Sequence, residues 1–451
     1  MIIPKKYKTI INKILTIANE NNFETYIVGG FVRDLIIKKK PYDLDIMIHS
    51  KKISNGILDI INFSNLIVNK YNLKSPLIFK NFGTSKILID NKIIELTIPR
   101  REYYNCNSRN PITKLASIKQ DAFRRDFTIN SLFLRLKDMK VLDFTSYGIN
   151  DIKNKIIRVS DPSNAEKIFN QDPLRILRAI RQSSELNFII EPITYNAMKK
   201  SIKRIKIVSQ ERIKDELNKI LINKTPSKAF MLMKEINLLY KILPEIKIKK
   251  DTNKKTKYIN NFKMLDKTKK NIVLRIASLL YNFCNIYKKN DFLFLNIHIE
   301  RINHILKRLK YSNEIIKKII FIIRNYIYYK YKTDYTVWTD NYIRKFVKKC
   351  DKDFLLIKEF IKTNYNKKNK YNKFKNRIKY LKSKNKLYTK TELLSGEELM
   401  LMFNKPSGKW IKIIKNKIIN IKINNPALTK KQVIDIIKTC INKQNIQNTK
   451  L

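Results

Sequence analysis

Two aspartates near the N-terminus have the spacing of a metal site. Asp43 and Asp45 lie in the apolar stretch Asp43-Leu44-Asp45-Ile46, and alternate side chains of an extended strand share one face. Leu44 and Ile46 would then face a core. Two carboxylates on one face repel each other unless a cation lies between them. Because Mg²⁺ is commonly bound through one or two carboxylates plus substrate phosphates, the pair predicts a site for Mg²⁺.

A glycine pair just upstream is suited to hold those phosphates. Gly29 and Gly30 end an apolar run that starts at Tyr26, and a short helix is predicted from 31 to 37. Without a Cβ, the backbone can approach a triphosphate closely. The N–H groups of the first helical turn, which includes Arg33, attract an anion. A phosphate cradle followed by metal carboxylates indicates nucleotidyl transfer.

These two motifs together resemble a known family. The sequence GGFVRD from Gly29, followed by DLDI from Asp43, is similar to the class II members of the nucleotidyltransferase superfamily. That family comprises the tRNA CCA-adding enzymes and the bacterial poly(A) polymerases. The resemblance implies an α+β fold. Its head is a nucleotidyltransferase palm with a mixed sheet, and an all-helical neck, body and tail follow.

The composition favours a polyanionic partner. The 451 residues include 95 Lys and Arg against 38 Asp and Glu, for a formal net charge of +57, and such a surface attracts nucleic acid. Codon bias in an AT-rich genome would also enrich Lys, Ile and Asn, so charge alone leaves nucleic-acid binding open. The length predicts two to four structural units.

The cysteines and the hydropathy favour a cytoplasmic protein. Cys106, Cys284, Cys350 and Cys440 stand far apart, which argues against a zinc site or a disulfide framework and fits a reducing compartment. We find no signal peptide and no apolar run long enough to span a membrane. The sequence implies no membrane association and no obligate protein partner.

A hairpin is predicted after the aspartates. The segment from 87 to 98 has strand character on both sides of Asp90-Asn91. Glu95 on the second strand is either a third carboxylate of the palm or an ordinary exposed residue, and both interpretations stay open. The polar segment 99–122 predicts a mobile loop, and the resemblance places a flexible loop here beside the active site.

The sequence RRDFTIN from Arg124 resembles the family's second motif. Its two guanidinium groups suit phosphate oxygens, which they can bind bidentately. Asp126 and Asn130, four residues apart, can share one helix face and either reach a ribose hydroxyl or order the arginines. We expect Arg125 to hold the triphosphate together with the glycine pair and Arg33.

A predicted helix from 170 to 186 carries polar residues at steps of three, which places them along one side. They are Asp172, Arg175, Arg178 and Arg181. The residues alone also allow a purely structural interpretation. In it, Asp172 caps the helix, Pro173 takes the first helical position and the arginines are exposed to solvent.

The resemblance favours a functional interpretation of the same helix. The segment is similar to the family's motif D, Glu-Asp-x-x-Arg, whose Asp and Arg act as a protein template for the incoming base, although Gln171 replaces the Glu. An ionised Asp only accepts hydrogen bonds and Arg only donates. Cytosine and adenine satisfy that pair, whereas uracil and guanine would turn a carbonyl toward the carboxylate. Arg178 and Arg181 are expected near the triphosphate.

Two further segments resemble the family in outline. Residues 141–158 predict a strand, a turn at Gly148 and a basic helix, and only helices are expected after them. Ser209 begins a stretch similar to the family's motif E, and we expect Ser209 to cap a helix that braces the base-reading helix.

The C-terminal half carries weaker signals. Many relatives have a His-Asp phosphohydrolase signature in the body, but Tyr281-Asn282 stands at that place, and His298 and His304 are expected to be ordinary helix residues. The Lys-rich run 361–386 is either a solvated face or an RNA contact that uses its interleaved tyrosines. Those tyrosines are Tyr365, Tyr371 and Tyr380.

Together these observations predict four parts. They are a catalytic head over 1–145, a neck with the base-reading helix over 146–223, a helical body over 224–335 and a basic RNA-binding tail over 336–451. The resemblance implies addition of C and A to the 3′ end of tRNA from CTP and ATP, with Asp43 and Asp45 holding Mg²⁺. Poly(A) addition, partial CC or A addition, and a non-catalytic RNA-binding protein are the alternatives.

Overall fold

The structure is a computed structural model of the 451-residue chain. It describes residues 3–50, 56–103, 112–246, 255–283, 292–335, 337–384, 386–387 and 394–448. The chain divides into two compact units, Met1–Asp266 with His304–Tyr311, and Lys267–Asn303 with Ser312–Leu451. The four-part division predicted above is finer than this and stays a prediction.

The head of the first unit is built on a mixed sheet. Its strands are β1 (Phe23–Val28), β2 (Leu44–Ser50), β3 (Leu77–Phe79), β4 (Thr84–Ile89), β5 (Lys92–Thr97), β6 (Arg100–Tyr103), β7 (Ile112–Leu115), β8 (Leu132–Arg135) and β9 (Val141–Asp143). Its helices are α1 (Lys5–Glu20), α2 (Gly30–Ile36), α3 (Ile57–Lys70), α4 (Ile118–Arg124) and α5 (Gly148–Asn154). Seven strands of the described residues pair in the order β3-β4-β5-β2-β1-β8-β9.

The pairing confirms the predicted mixed sheet. Strands β2 and β5 run parallel, with Asp45 opposite Glu95, and the other neighbours run antiparallel. The predicted hairpin is β4–β5, and Asp90 and Asn91 form its turn with positive φ angles. Leu44 is buried beneath the sheet as expected.

Helices α1 and α3 pack against one face of this sheet. Their apolar residues recur at helical spacing and are buried, for example Ile10 and Ile14 in α1 and Phe63 and Ile67 in α3. Burial of such side chains stabilises the head by about 1.5–3 kcal/mol each. Ala122 of α4 packs on the opposite face.

The predicted loop 99–122 is ordered where the structure describes it. Strands β6 and β7 pair antiparallel, from Arg100 with Leu115 to Tyr103 with Ile112, and α4 starts at Ile118. A two-stranded ribbon satisfies its backbone hydrogen bonds without an alternating apolar pattern. The polar sequence therefore gave no indication of these two strands. Residues 104–111 lie outside the described residues, as do Cys106 and Cys284.

The rest of the first unit is helical except for one short strand pair. The helices are α6 (Ala165–Gln171), α7 (Leu174–Leu186), α8 (Pro192–Ser201), α9 (Gln210–Ile222), α10 (Pro226–Glu235), α11 (Leu239–Ile242) and α12 (Lys255–Lys267). Strands β10 (Ile156–Ile157) and β11 (Ile189–Ile190) pair in parallel. The expectation of helices alone was therefore wrong here, because two-residue strands show no periodicity.

The second unit is helical throughout its described residues. Most of its residues lie in α13 (Ile272–Phe283), α14 (Phe292–Arg308), α15 (Asn313–Tyr335), α16 (Asp340–Cys350), α17 (Phe354–Asn364), α18 (Lys368–Ser383), α19 (Gly396–Phe403), α20 (Lys409–Asn424) and α21 (Lys430–Asn448). Tyr281, at the place of the absent His-Asp pair, is buried and meets the ring of Tyr326 edge to face at 4.8 Å. His298 lies within α14.

The RNA-stacking interpretation of the interleaved tyrosines is wrong for two of the three. Tyr365 is buried and donates its hydroxyl hydrogen to Asp334 at 2.8 Å. Tyr371 is buried on the inner side of α18. Tyr380 alone of these is exposed, with Arg377 over its ring. Among the described helices, none combines the length and hydropathy that a membrane crossing requires.

Candidate active site

A cavity of about 1080 Å³ in the first unit gathers almost all of the predicted site residues. Those that line it are Gly29, Gly30, Arg33, Asp43, Asp45, Arg125, Asp126, Asn130, Asp172, Arg175, Arg178 and Arg181. Glu95 does not line it. These residues come from the β1–α2 turn and α2, from the start of β2, from the segment after α4, and from α7 and the residues just before it, which are far apart in sequence.

The glycine pair forms the turn between β1 and α2. Gly29 has a φ of +76°, which side chains other than glycine rarely adopt. A Cβ on Gly29 would stand 3.5 Å from Nη1 of Arg125 and 3.9 Å from Oδ2 of Asp45. The backbone of the turn therefore lies directly against one guanidinium group and one carboxylate.

Asp45 lies in a crowded, acidic environment. Burial and the neighbouring carboxylate of Glu95 raise the pKa of Asp45 to about 6, with a further contribution from Asp43, while Arg125 opposes the shift. Glu95 itself pairs with Lys86 at 3.3 Å. The arrangement holds negative charge together that a cation would stabilise.

The donor set suits a cation that takes other ligands from outside the protein. Among the residues described in the structure, no group of three or more His, Cys, Asp or Glu side chains is placed to hold a metal ion. Asp43 and Asp45 are two carboxylates at the cavity, and hard cations such as Mg²⁺ bind through one or two carboxylates plus water and phosphate oxygens.

The two arginines of the RRD motif are held from below by a carboxylate that the sequence did not reveal. Asp121 is fully buried and accepts hydrogen bonds from Nε of Arg124 at 2.8 Å and from Nε of Arg125 at 3.0 Å. Although burial by itself would raise it, these arginines hold the pKa of Asp121 below its ordinary value. The i,i+3 and i,i+4 spacing was the available signal.

We expected Asp126 and Asn130 to share one face of a helix, and they do not. The backbone is extended at Arg125 and Phe127, and a 3₁₀ turn follows. The side chains still meet, because Nδ2 of Asn130 donates to Oδ1 of Asp126 at 2.9 Å. The other oxygen of Asp126 accepts from Nε of Arg178 at 2.8 Å.

This contact fixes the charge of Asp126. Burial would raise its pKa, but Arg178 and the Asn130 hydrogen bond outweigh burial and lower the pKa to about 2. Arg178 is thereby engaged by a protein carboxylate, and the arginine that Asp126 orders belongs to α7 and not to the Arg124–Arg125 pair.

Arg33 is positioned by amides from two other segments. Its Nη1 donates to Oδ1 of Asn130 at 2.7 Å and to Oε1 of Gln182 at 3.2 Å. Nδ2 of Asn130 also donates to Gln182 at 3.0 Å. Gln182 was not predicted, although its position four residues after Arg178 on α7 places it on the same helix face.

Asp172 has features of both interpretations offered for it. It precedes α7 rather than lying on it, and its Oδ1 accepts from the backbone N–H of Leu174 at 3.2 Å, as a capping residue would. Its Oδ2 lies 3.7 Å from Nη2 of Arg212 on α9. Asp172 also lines the cavity. One carboxylate oxygen therefore supports the start of α7, and the other lies near the guanidinium group of Arg212.

Arg175 has a donor without an acceptor. Its Nη2 donates to the carbonyl of Arg124 at 2.8 Å, and Glu102 is 3.9 Å away. Its Nη1 is buried and finds no hydrogen-bond partner within the described part of the chain. A buried donor left without an acceptor costs about 1–3 kcal/mol, and Arg175 lines the cavity. A ligand that accepts a hydrogen bond would remove that cost.

Helix α9 braces α7, as expected of the motif E segment. Nε of Arg181 donates to Glu216 of α9 at 2.7 Å, and its Nη1 donates to Glu185 at 3.1 Å. Ser209 occupies the capping position of α9, but its side chain makes no capping hydrogen bond. Arg181 is therefore held by carboxylates and is not part of a solvated stripe.

Comparison with family models agrees with this geometry. The model described as "Poly A polymerase head domain" matches residues 25–158. The model described as "Probable RNA and SrmB- binding site of polymerase A" matches residues 187–249. A model of tRNA nucleotidyltransferase domain 2 matches residues 291–437. The matched ranges include the cavity residues from Gly29 to Asn130.

Individual relatives point to the same family. The chain is 30% identical over 330 residues to the CCA-adding enzyme of Ligilactobacillus salivarius, which covers 70% of each chain. It is 32% identical over 247 residues to the CCA-adding enzyme of Lactobacillus gasseri, covering 53% of this chain and 56% of that protein. The chain thus spans about half the length of the first curated relatives it matches.

The fold has a counterpart among solved structures. The CCA-adding enzyme of Bacillus stearothermophilus in complex with CTP superimposes with a TM-score of 0.69 at 19% identity, covering 99% of this chain and 100% of that one. At that identity the likeness concerns the fold. Taken with the sequence relatives, these matches show that the chain belongs to the class II nucleotidyltransferase family of CCA-adding enzymes and poly(A) polymerases.

Proposed function

We propose that this protein adds C and A nucleotides to the 3′ end of tRNA from CTP and ATP without a nucleic-acid template. The observation that carries the proposal is the joining of two kinds of group in one cavity. Asp43 and Asp45 stand at one part of its wall, and Asp172 and Arg175 stand at another. A nucleotide bound there would offer its phosphates to the first pair and its base to the second.

In this proposal, basic residues bind the triphosphate and acidic residues hold the metal ion. Gly29 leaves the backbone open beside Asp45, and Arg125 lies close enough to offset negative charge there. Arg33 and Arg125 supply guanidinium groups for triphosphate oxygens. When bound, Mg²⁺ would stabilise charge on the attacking 3′ oxygen and on the leaving pyrophosphate. Asp43 and Asp45 would hold it.

Base selection would depend on Asp172 and Arg175. The buried Nη1 donor of Arg175 needs an acceptor, and a carboxylate such as that of Asp172 can accept a hydrogen bond from a base. Cytosine and adenine each present an amino group beside an acceptor nitrogen. Uracil and guanine place a carbonyl where the amino group should be, so a mismatched contact would cost about 1–3 kcal/mol.

An assay with defined RNA ends tests this function. The protein is incubated with tRNA lacking its terminal CCA and with each NTP singly, then in pairs. We expect two C residues from CTP alone and completion by one A when ATP is added. The head-domain match to poly(A) polymerase makes long A tails the competing outcome. Tails from ATP alone, or no incorporation at all, would contradict the proposal.

The carboxylates at the cavity give a second prediction. Asp43→Asn and Asp45→Asn should each lower turnover by at least about 100-fold, because metal-ion catalysis contributes several kcal/mol, while tRNA binding stays near wild type. Asp90→Asn, at the β4–β5 turn and outside the cavity lining, is the matched control and should keep its turnover. A substantial wild-type fraction in either cavity variant would remove the metal role from that residue.

Asp45 also predicts a pH effect on stability. Its pKa is about 6 in the folded protein against an ordinary 3.8, so the folded chain keeps a proton that the unfolded chain releases between these values. The stability supplied by the protonated group, full below the ordinary pKa, is lost as pH rises through 6. Asp45→Asn cannot ionise, so it should gain about 1–3 kcal/mol over wild type between about pH 4 and about pH 7.5 without divalent metal.

Urea unfolding of both proteins at the two pH values measures this difference. Added Mg²⁺ should reduce the gain, because a bound cation stabilises the ionised wild-type site. A difference between variant and wild type that is the same at both pH values would show that Asp45 does not titrate as its surroundings indicate.

Substitution of Asp172 separates base reading from helix capping. In Asp172→Asn the amide oxygen can still cap Leu174, so stability should change by less than about 0.5 kcal/mol. The amide also offers a donor to a base carbonyl, so the UTP to CTP ratio of kcat/KM should rise by about 5- to 150-fold. Arg175→Ala should weaken CTP and ATP together. Unchanged ratios among the four NTPs in Asp172→Asn would leave Asp172 as a helix cap only.

A further inference from the structure

Within the described part of the chain, one face of the head sheet is covered over only half its width. The side chains of Tyr26, Val28, Met47 and Phe133 belong to β1, β2 and β8, and they pack with Ala122 of α4 into a buried cluster. Beyond β2, the same face continues across β5, β4 and β3. There the large apolar side chains are exposed.

The strand register shows that this exposed half adjoins Asp45. Asp45 in β2 is opposite Glu95 in β5, Glu95 is opposite Lys86 in β4, and Lys86 is opposite Leu77 in β3. Residues in register on neighbouring strands point to the same side. A single row therefore leads from Asp45 at the cavity to the outer edge of the sheet.

The apolar side chains beside this row are open to solvent. Leu77 is 66% exposed, Phe79 42%, Leu88 43% and Ile93 67%. Together with Lys86 we call them the open sheet face. Leu88 and Ile93 are direct cross-strand partners, so the apolar surface is continuous across β4 and β5.

The opposite side of β4 and β5 is covered. Ile87, Ile89, Ile94 and Leu96 are buried on the face where α3 packs against β4 and β5. Strands that are apolar on both faces normally have both faces covered. A contiguous exposed apolar patch next to a cavity marks a binding surface.

The size and chemistry of this surface fit single-stranded RNA. Three strand spacings separate Asp45 from Leu77, which is about 14 Å and matches about four nucleotides stacked at the spacing of a nucleic-acid strand. The ring of Phe79 offers a stacking surface, and Nζ of Lys86 lies 5.7 Å from its centroid. The Lys86 side chain is partly exposed and pairs with Glu95 at 3.3 Å, so its amino group is placed to meet a phosphate.

We propose that the open sheet face carries the last single-stranded nucleotides of the RNA whose 3′ hydroxyl is extended. The inference rests on the proposed function, because a growing 3′ end must reach Asp43 and Asp45 from some direction. The open sheet face is continuous with those carboxylates and lies outside the cavity that would hold the incoming nucleotide. Stacking on aromatic and aliphatic side chains accepts any base, which suits an end whose sequence changes as it grows.

Kinetics on the RNA end test the open sheet face. The variants are Phe79→Ala and Ile93→Ser, and Ile193→Ser on α8, 54% exposed, is the matched control. With tRNA lacking its terminal CCA, each sheet variant should lower kcat/KM for RNA by about 5- to 150-fold, the range for loss of one base-stacking contact. The KM for CTP and the Tm should stay at wild-type values. Unchanged kcat/KM for RNA in both sheet variants overturns the proposal.

An abasic RNA end identifies the contact more directly. Removal of the base at the last or second-last position should weaken extension by wild-type protein, and Phe79→Ala should then add little, because the two changes remove one interaction. Full additivity of the two effects at both positions would show that Phe79 does not touch those bases.

Photo-crosslinking separates this inference from the proposed function. An RNA with 4-thiouridine at its 3′ end should crosslink to peptides within residues 77–93, and one with the label ten nucleotides inward should not. If wild-type protein adds no nucleotide, the proposed function is wrong. Crosslinks of the RNA end to residues outside 77–93 would overturn the present inference. A change in oligomeric state of the sheet variants, with RNA constants unchanged, would assign the face to a second protein chain and also overturn it.

Discussion

The buried carboxylate of Asp126 ties α7 to the head. One oxygen accepts from Asn130, which in turn binds Arg33 beside the glycine turn. The other accepts from Arg178 on α7. Because a buried charge without partners is costly, the three groups fix one another, and Gln182 closes the network from the same helix. The position of α7 relative to the glycine turn therefore depends on this contact.

In contrast to Asp126, whose charge is fully partnered, Asp45 lies among other carboxylates. Asp45 is crowded by burial and by Glu95, so its ionised form is disfavoured until a cation arrives. Arg125 offsets part of that charge, and Asp121 holds Arg125 in place from beneath. A site that carries strain in the absence of ligand gains binding energy when the ligand relieves it. The unpartnered Nη1 donor of Arg175 is a comparable cost elsewhere in the cavity wall.

Local patterns in the sequence were sufficient for the parts whose causes are local. The run ending at Gly29, the turn at Asp90 and the strand around Asp45 follow from alternation, glycine and turn residues, and all three appear where they were predicted. The polar segment after residue 99 was misjudged, because β6 and β7 pair with each other without an apolar pattern. The strands at Ile156 and Ile189 were too short to leave a periodic signal.

By itself, the sequence determined the mixed-sheet head, the family and twelve of the residues that line the cavity, because each of these is encoded in short motifs. Only the tertiary structure decided which partners those residues take. Arg178 meets Asp126 and Arg181 meets Glu216, although all three arginines of α7 have the same spacing in sequence. Likewise, exposure of Phe79 and burial of Tyr371 depend on which neighbouring element covers each ring. Hydrogen-bond partners and burial are set by distant segments brought together in folding, and no local pattern records them.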